Sequence, residues 1–202
     1  MTDTPSDTPS DTNSGTPAEF AAVAFSGSLR AQSSNTGLVN MAARLAPPGL
    51  KVDVVDDIVH ALPFYNADFE DDPPAEVVRW REALAAADAL IIGLPEYNFL
   101  PSATAKNAVD WVSRPYGKHI MKGKAIALLT SGGKGGGAKT QAALGPILGL
   151  LGNTLVEESP VLIALGADTI NVDGTTTDPE IEAKVAAKLA AVLDTLRHPV
   201  VP

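Results

Sequence analysis

The 202-residue sequence contains no cysteine. This absence excludes disulfide bonds, thiolate nucleophiles, cysteine-ligated iron–sulfur clusters and cysteine-based zinc sites. Histidine is also scarce, and the three residues, His60, His119 and His198, are too scattered to show the spacing of metal ligands. We therefore expect neither cysteine chemistry nor a metal site.

Basic residues are outnumbered by acidic ones. Fifteen Lys and Arg residues against 24 Asp and Glu residues give a net charge of −9 at pH 7. Because affinity for nucleic acids rests on clustered basic side chains, this balance predicts no nucleic-acid partner. No apolar run reaches the roughly 18 residues of a membrane-spanning helix, so we expect no membrane insertion. The lack of cysteine is compatible with a reducing cytoplasm, which is the location we expect.

The first 17 residues, MTDTPSDTPSDTNSGTP, repeat SDTP-like units and contain almost nothing apolar. Such a segment cannot bury enough surface to offset the entropy lost on ordering. It also lacks the basic and apolar regions of a secretory signal. We predict a disordered tail over residues 1–17 and one domain over residues 18–202.

The rest of the chain alternates short apolar segments with segments of helical periodicity. The strand-like segments are 20–26, 50–56, 88–95, 124–131 and 154–165, the last as one strand or a pair. The helical segments are 36–46, 74–87, 101–112, 138–151 and 178–197. This alternation predicts a parallel sheet with helices on both faces. Its length favours an α/β, flavodoxin-like three-layer sandwich with a five-stranded parallel sheet of order 2-1-3-4-5 over a TIM barrel.

In a sheet of that order the topological switch lies between the first and third strands. Ligands bind there, outside the carboxyl ends of the strands. The loops that follow these strands and their neighbour span residues 26–35, 95–101 and 131–137. We expect the functional site in these three loops.

The first loop is rich in hydrogen-bond donors and leads into a helix. A helix N-terminus offers unpaired N–H groups and partial positive charge, which suit a phosphate. A polar turn with one capping side chain would explain only one or two of these donors. We therefore predict a phosphate site built from Ser26, Ser28, Arg30, Ser33, Ser34, Asn35 and Thr36.

The other two loops differ in character. The second, PEYNFLP at residues 95–101, brings aromatic side chains and backbone donors to a position where a flat ligand would lie. The third, TSGGKGGGAKTQ at residues 130–141, has five glycines between 132 and 137, which permit close approach of a ligand to the backbone. Its string GKGGGAKT nearly matches a P-loop, but Ala138 stands in place of the last glycine and no acidic strand end is evident, which disfavours an NTPase.

Together, the strings SGSLRAQSSNTGL, PEYN, KNAVDWVSRP and KAIALLTSGGKGGG resemble the NAD(P)H-dependent FMN reductase family. That family includes quinone and chromate reductases and some azoreductases. The resemblance covers residues 20 to 155 approximately.

The resemblance implies non-covalent FMN as cofactor and NADPH or NADH as co-substrate. It implies an oxidoreductase that takes a hydride from NAD(P)H and passes electrons to a quinone, flavin, chromate or azo acceptor, with no general acid or base among its side chains. By similarity, the FMN phosphate would be bound by Ser28, Arg30, Ser33 and Asn35. The ring would lie along Pro95, Glu96, Tyr97 and Asn98, with Ser131, Gly132 and Gly133 on its other side.

The resemblance also implies a homodimer or homotetramer acting on a small-molecule acceptor. The aromatic side chains that either line a subunit interface or pack within the monomer are Phe64, Tyr65, Phe69, Trp111 and Tyr116. Two other classes of protein remain open at this point. One is a flavodoxin-type electron carrier that does not oxidise NAD(P)H directly, and the other is a flavin-free structural or signalling domain of the same fold.

Overall fold

The computed structural model of the protein describes residues 19–199, so the expected disordered tail lies outside the described residues. The strands are β1 (Phe20–Ser26), β2 (Leu50–Val54), β3 (Ala89–Gly93), β4 (Glu96–Tyr97), β5 (Leu100–Pro101), β6 (Ala125–Gly132), β7 (Thr154–Leu155) and β8 (Val161–Ala164). The α-helices are α1 (Ser34–Arg44), α2 (Asp56–His60), α3 (Ala75–Ala85), α4 (Ala103–Val112), α5 (Ala138–Leu150) and α6 (Pro179–Arg197).

The main sheet is parallel and has the order β2-β1-β3-β6, followed by β7 and β8 in a shared last position. β7 pairs with Ala125–Ile126 of β6, whereas β8 pairs with residues 129–132 of the same strand. The predicted order 2-1-3-4-5 is therefore confirmed, with its fifth strand divided in two. At the division Lys188 of α6 donates from Nζ to the carbonyl oxygens of Val156, at 2.8 Å, and Glu158.

Helices cover both faces of the sheet because its inner strands are apolar on both sides. In β3 every residue is buried. Its Ala89 and Ile91 face the core formed with α1 and α6, while Leu90 and Ile92 face the core formed with α3, α4 and α5. This alternation of side chains across a strand makes one apolar run serve two cores and gives the three-layer sandwich.

Some element boundaries differ from the sequence prediction. α1 begins two residues earlier than expected because Ser33 caps it, and it ends at Arg44. Pro74 precedes α3 as its N-cap residue rather than occupying the first helical position. The short helix α2 and the β4–β5 hairpin were not expected, since five- and two-residue elements show no measurable periodicity.

Residues 19–199 contain no helix that is long and apolar enough to cross a bilayer. That range also holds no group of three or more acidic or histidine side chains that could bind a metal ion. The three histidines are dispersed: His60 contacts β1, His119 is buried, and His198 lies 3.1 Å from Asp194 at the end of α6.

Candidate functional site

A polar cavity of about 150 Å³ lies at the carboxyl edge of the sheet, beyond the paired ends of β1 and β3. All three loops predicted from the sequence reach it. A larger cavity of about 520 Å³ lies between α5 and the sheet edge, but most of its wall is apolar and it lacks the cluster of donors found here. The lining residues of the polar cavity are Ser28, Arg30, Ser33, Ser34, Asn35, Pro95, Glu96, Tyr97, Ser131, Gly132 and Ala167.

The N-terminus of α1 forms one wall of this cavity. The Oγ of Ser33 accepts hydrogen bonds from the backbone N–H groups of Asn35 at 3.2 Å and Thr36 at 3.4 Å. The first turn of a helix has further unpaired backbone N–H groups. Among the described residues, none accepts a hydrogen bond from the N–H of Ser34, so this donor is available to a bound anion. The hydroxyl proton of Ser33 and the positive end of the helix dipole add to this donor set.

Ser26 and Ser28 fix the shape of the first loop. The Oγ of Ser26 accepts from the backbone N–H of Ser28 at 3.2 Å and from Thr36 Oγ1 at 2.9 Å. Ser28 is itself buried, and its Oγ lies 3.5 Å from the hydroxyl of Tyr97 in the second loop. The loop is thus ordered by its own hydroxyl groups, whereas Arg30 remains exposed at the cavity wall.

Asn35 joins the first loop to the third. Its Nδ2 donates to the carbonyl oxygen of Ser131 at 2.9 Å, and its Oδ1 accepts from the Ser131 N–H at 3.0 Å. The last residue of β3 paired with β6 is Gly93, opposite Leu129, so Ser131 lies beyond the end of β3. The side-chain amide of Asn35 therefore pairs with the backbone of Ser131 as a residue of a neighbouring strand would. The second hydrogen on Nδ2 remains available to a ligand.

Gly93 allows α1 to lie this close to the sheet. A Cβ atom at Gly93 would come within 2.6 Å of the carbonyl oxygen of Asn35 and of Val39 Cγ2. A side chain here would push the start of α1 away from the strands. The position of the helix N-terminus beside the cavity depends on this glycine.

The second loop is a β-hairpin that docks on the third. The carboxylate of Glu96 accepts from the backbone N–H groups of Lys139 at 3.0 Å and Thr140 at 3.1 Å. Glu96 thereby caps α5, whose N-cap residue Gly137 has φ of 87° and no capping side chain. These N–H groups are the ones that a P-loop would offer to a phosphate, so the structure gives that alternative no support.

Behind the first loop, Asp56 and His60 fix the backbone of Ser26. Asp56 Oδ1 accepts from the Ser26 N–H at 2.6 Å, and His60 Nε2 donates to the Ser26 carbonyl oxygen at 2.8 Å. Burial raises the pKa of Asp56 above its usual value of 3.8, although the Ser26 hydrogen bond and His60 oppose this shift and Asp57 adds to it. The carboxyl group of Asp56 therefore binds its proton more tightly in the folded protein than in the unfolded chain.

Because the pKa of Asp56 is raised on folding, its contribution to stability decreases as the pH rises from 3.8 through the folded pKa. We predict that Asp56→Asn is more stable than the wild type at pH 7 and that the difference shrinks towards pH 4. Urea unfolding of both proteins at several pH values between 4 and 7 measures this difference in the free energy of unfolding. The control Asp57→Asn makes the same change of charge on the exposed neighbour, and an equal stability gain in that variant would contradict the prediction.

The arrangement suits a ligand with an anionic end and a flat end. The N-terminus of α1, with the serine hydroxyls and Arg30, provides donors for an anion. Pro95, Tyr97 and Gly132 add an aliphatic ring, an aromatic ring and bare backbone to the lining. A phosphorylated planar molecule matches both parts.

Comparison with known proteins agrees with this geometry. The sequence pattern of the family described as NADPH-dependent FMN reductase matches residues 21–168, which include all three loops. The chain belongs to this family. FMN is thus its flavin, and NAD(P)H is its reductant.

Several proteins of known activity are similar to most of the chain. An NAD(P)H-dependent FMN reductase from Pseudomonas aeruginosa is 33% identical over 177 residues, which are 86% of this chain and 94% of that protein. A 2-hydroxy-1,4-benzoquinone reductase from Burkholderia sp. is 36% identical over 149 residues, 73% of this chain and 80% of that protein. The solved structure of a flavoenzyme NAD(P)H:(acceptor) oxidoreductase from Paracoccus denitrificans superposes with a TM-score of 0.78 at 30% identity, covering 89% of this chain and 98% of that one.

Nine of the eleven residues that the resemblance assigns to FMN line the cavity. The two others do not: Asn98 lies in the turn of the hairpin, and Gly133 is exposed at the start of the glycine loop. Ser34, predicted from the first loop alone, also lines the cavity, whereas Ser26 and Thr36 lie behind the lining and fix the loop. Ala167 lines the cavity but was missed, because it follows β8, a strand whose carboxyl end was not included among the loops. Whether these residues bind the FMN of the family remains a prediction.

Proposed function

We propose that the polar cavity binds the phosphate end of FMN and that the protein transfers electrons from NAD(P)H to small quinone-type acceptors. The observation that supports this most strongly is the donor-rich N-terminus of α1, at the switch point of the sheet, in a chain of the NADPH-dependent FMN reductase family. The names of relatives, an FMN reductase and a benzoquinone reductase, support the same substrate classes. Flavin, chromate and azo compounds are further acceptors within this proposal.

In this proposal the phosphate is bound by Ser28, Arg30, Ser33 and the N–H of Ser34. Asn35 contributes chiefly by fixing Ser131, since its amide is already bonded to that residue. The carboxylate of Glu96 is likewise engaged by α5, so its backbone is the part available to a ring.

The flat part of the cofactor would lie along the second and third loops. We assign one edge to Pro95, Glu96, Tyr97 and Asn98, and the other to Ser131, Gly132 and Gly133. The cavity of about 150 Å³ is smaller than the roughly 300–1,000 Å³ typical of ligand pockets, so the ring would extend beyond it towards solvent. There it would be accessible to a second ligand.

Bound FMN supplies the redox chemistry, by taking a hydride from NAD(P)H and returning two electrons to an acceptor. The protein's own residues position the two ligands, and backbone N–H groups of the loops stabilise developing negative charge. No general acid or base is needed among the side chains. We place this activity in the cytoplasm, where the co-substrate is available.

We also propose that the protein is a homodimer or a pair of dimers. Phe64 and Tyr116 are 82% and 78% exposed, and Phe69 is 49% exposed. Trp111, by contrast, is fully buried and donates from Nε1 to the carbonyl oxygen of Pro63 at 2.8 Å, so it packs within the monomer. Size-exclusion chromatography with light scattering should give a dimer or tetramer mass, and a monomer would refute this part.

Steady-state kinetics test the proposed activity. Without oxygen, the FMN-loaded protein should oxidise NADPH or NADH over many turnovers only when a quinone is present, and should form one hydroquinone for each nucleotide oxidised. The protein without added FMN serves as the control. Retention of FMN without oxidation of either nucleotide would refute the proposal.

A further inference from the structure

The tip of the β4–β5 hairpin carries an aromatic residue where the backbone favours none. Asn98 and Phe99 join the two strands with φ values of 53° and 68°. Two-residue turns with positive φ at both positions favour Asn and Gly, because a bulky side chain crowds the backbone there. Asn98 fits that rule and Phe99 does not. Phe99 is also 62% exposed, so burial gives no compensation.

Lys139 lies directly against this aromatic ring. Its Nζ is 3.7 Å from the ring centroid of Phe99, a cation–π contact. Lys139 is in the first turn of α5, where the helix dipole disfavours a positive charge. Both Phe99 and Lys139 are therefore residues that local folding preferences do not explain.

The pair lies next to residues that line the polar cavity, although neither of its members lines the cavity itself. Phe99 follows Tyr97, a lining residue, by two positions, and the N–H of Lys139 is bonded to Glu96, another lining residue. The ammonium group covers one face of the aromatic ring, and the Phe99 side chain is otherwise largely exposed. In a chain of net charge −9, it is a local positive element beside the site.

We propose that Phe99 and Lys139 form the outer part of the acceptor site and give it a preference for planar acceptors that carry a negative charge, such as ionised hydroxyquinones. This inference rests on the proposed function. The acceptor ring stacks on the face of Phe99 opposite Lys139, and the ammonium charge behind the Phe99 ring attracts the negative charge of the acceptor. In the reaction the quinone gains two electrons and two protons and becomes a hydroquinone; NAD(P)H supplies a hydride and the solvent supplies the second proton.

A matched pair of acceptors tests the charge preference. At pH 7 2-hydroxy-1,4-naphthoquinone is an anion, whereas 2-methoxy-1,4-naphthoquinone has nearly the same shape and is neutral. We would measure kcat/KM for both with the FMN-loaded protein at saturating NAD(P)H. Lys139→Met should lower the ratio of anionic to neutral kcat/KM by about 3- to 5-fold, through KM, as expected for an attraction between partly exposed charges.

Two other variants separate the pair from general effects. Lys134→Met removes the same charge from an exposed position in the glycine loop and should leave the ratio unchanged. Phe99→Gly should raise KM for both quinones while the melting temperature stays the same or rises, because glycine accepts the positive φ.

The outcomes are distinct. An unchanged ratio in Lys139→Met overturns the inference, and so does an equal fall in Lys134→Met, which would indicate net charge alone. A change confined to KM for NAD(P)H would assign Lys139 to the nucleotide and also overturns it. If the wild type reduces neither quinone, the proposed function itself fails.

Discussion

Replacing Asn35 with alanine is expected to destabilise the fold by about 2–5 kcal/mol and to abolish most FMN retention. Ser131 is buried, and both of its backbone polar groups are bonded to the Asn35 amide. The substitution leaves a buried N–H and a buried C=O unpaired, each at a cost of about 1–3 kcal/mol. The first and third loops, which form opposite sides of the cavity, would then lose their direct connection.

The measurement combines urea unfolding with an FMN titration under native conditions. Asn40→Ala is the matched control, since Asn40 lies on the same helix and its Nδ2 donates to the Val172 carbonyl oxygen at 2.7 Å, away from the cavity lining. The control should lose some stability and keep its affinity for FMN. If Asn35→Ala retains wild-type affinity for FMN, the role assigned to Asn35 is wrong.

Arg30→Ala is expected to weaken FMN binding by about 1.5–3 kcal/mol, roughly 10- to 150-fold in Kd. Arg30 provides the guanidinium group of the cavity wall, beside the N-terminus of α1. A charge-assisted hydrogen bond to a phosphate is stronger than one from a neutral hydroxyl. Arg30→Ala should therefore weaken FMN binding more than the replacement of any one serine by alanine. Stability should change little, because Arg30 is exposed.

Fluorescence titration of the apoprotein with FMN and with riboflavin locates the effect. Arg30→Ala should weaken FMN binding but not riboflavin binding, since riboflavin lacks the phosphate. Arg44→Ala, which removes the same charge at the far end of α1, is the control. An equal loss for both flavins would mean that Arg30 does not contact the phosphate.

The topology could be predicted from the sequence because it depends on simple periodicity. Apolar runs such as ALIIG at 89–93 can be buried on both faces only in a parallel sheet covered by two helical layers. The sequence left open whether the last strand is continuous or divided in two. The division is accompanied by hydrogen bonds from Lys188 of α6 to the carbonyl oxygens of Val156 and Glu158, between β7 and β8. A contact between residues about 30 positions apart leaves no local signal in the sequence.

The site could be located but its internal contacts could not. Strand order alone brings the three loops together, and the serine-rich string indicates the anion end. Asn35 and Glu96 form hydrogen bonds with backbone groups that have no backbone partner in the fold. These groups belong to Ser131 and to the first turn of α5. The sequence shows that an amide and a carboxylate are present, but not which partner each of them meets.

An anaerobic titration tests most directly whether the protein is an NAD(P)H-dependent flavoenzyme. The protein is loaded with FMN, desalted, and titrated with NADPH and then NADH while the visible absorbance is recorded. The flavin band should survive desalting and then be bleached by a stoichiometric amount of at least one nucleotide. A flavin that stays bound but is reduced by neither nucleotide, or one that is lost on desalting, would contradict the proposed function.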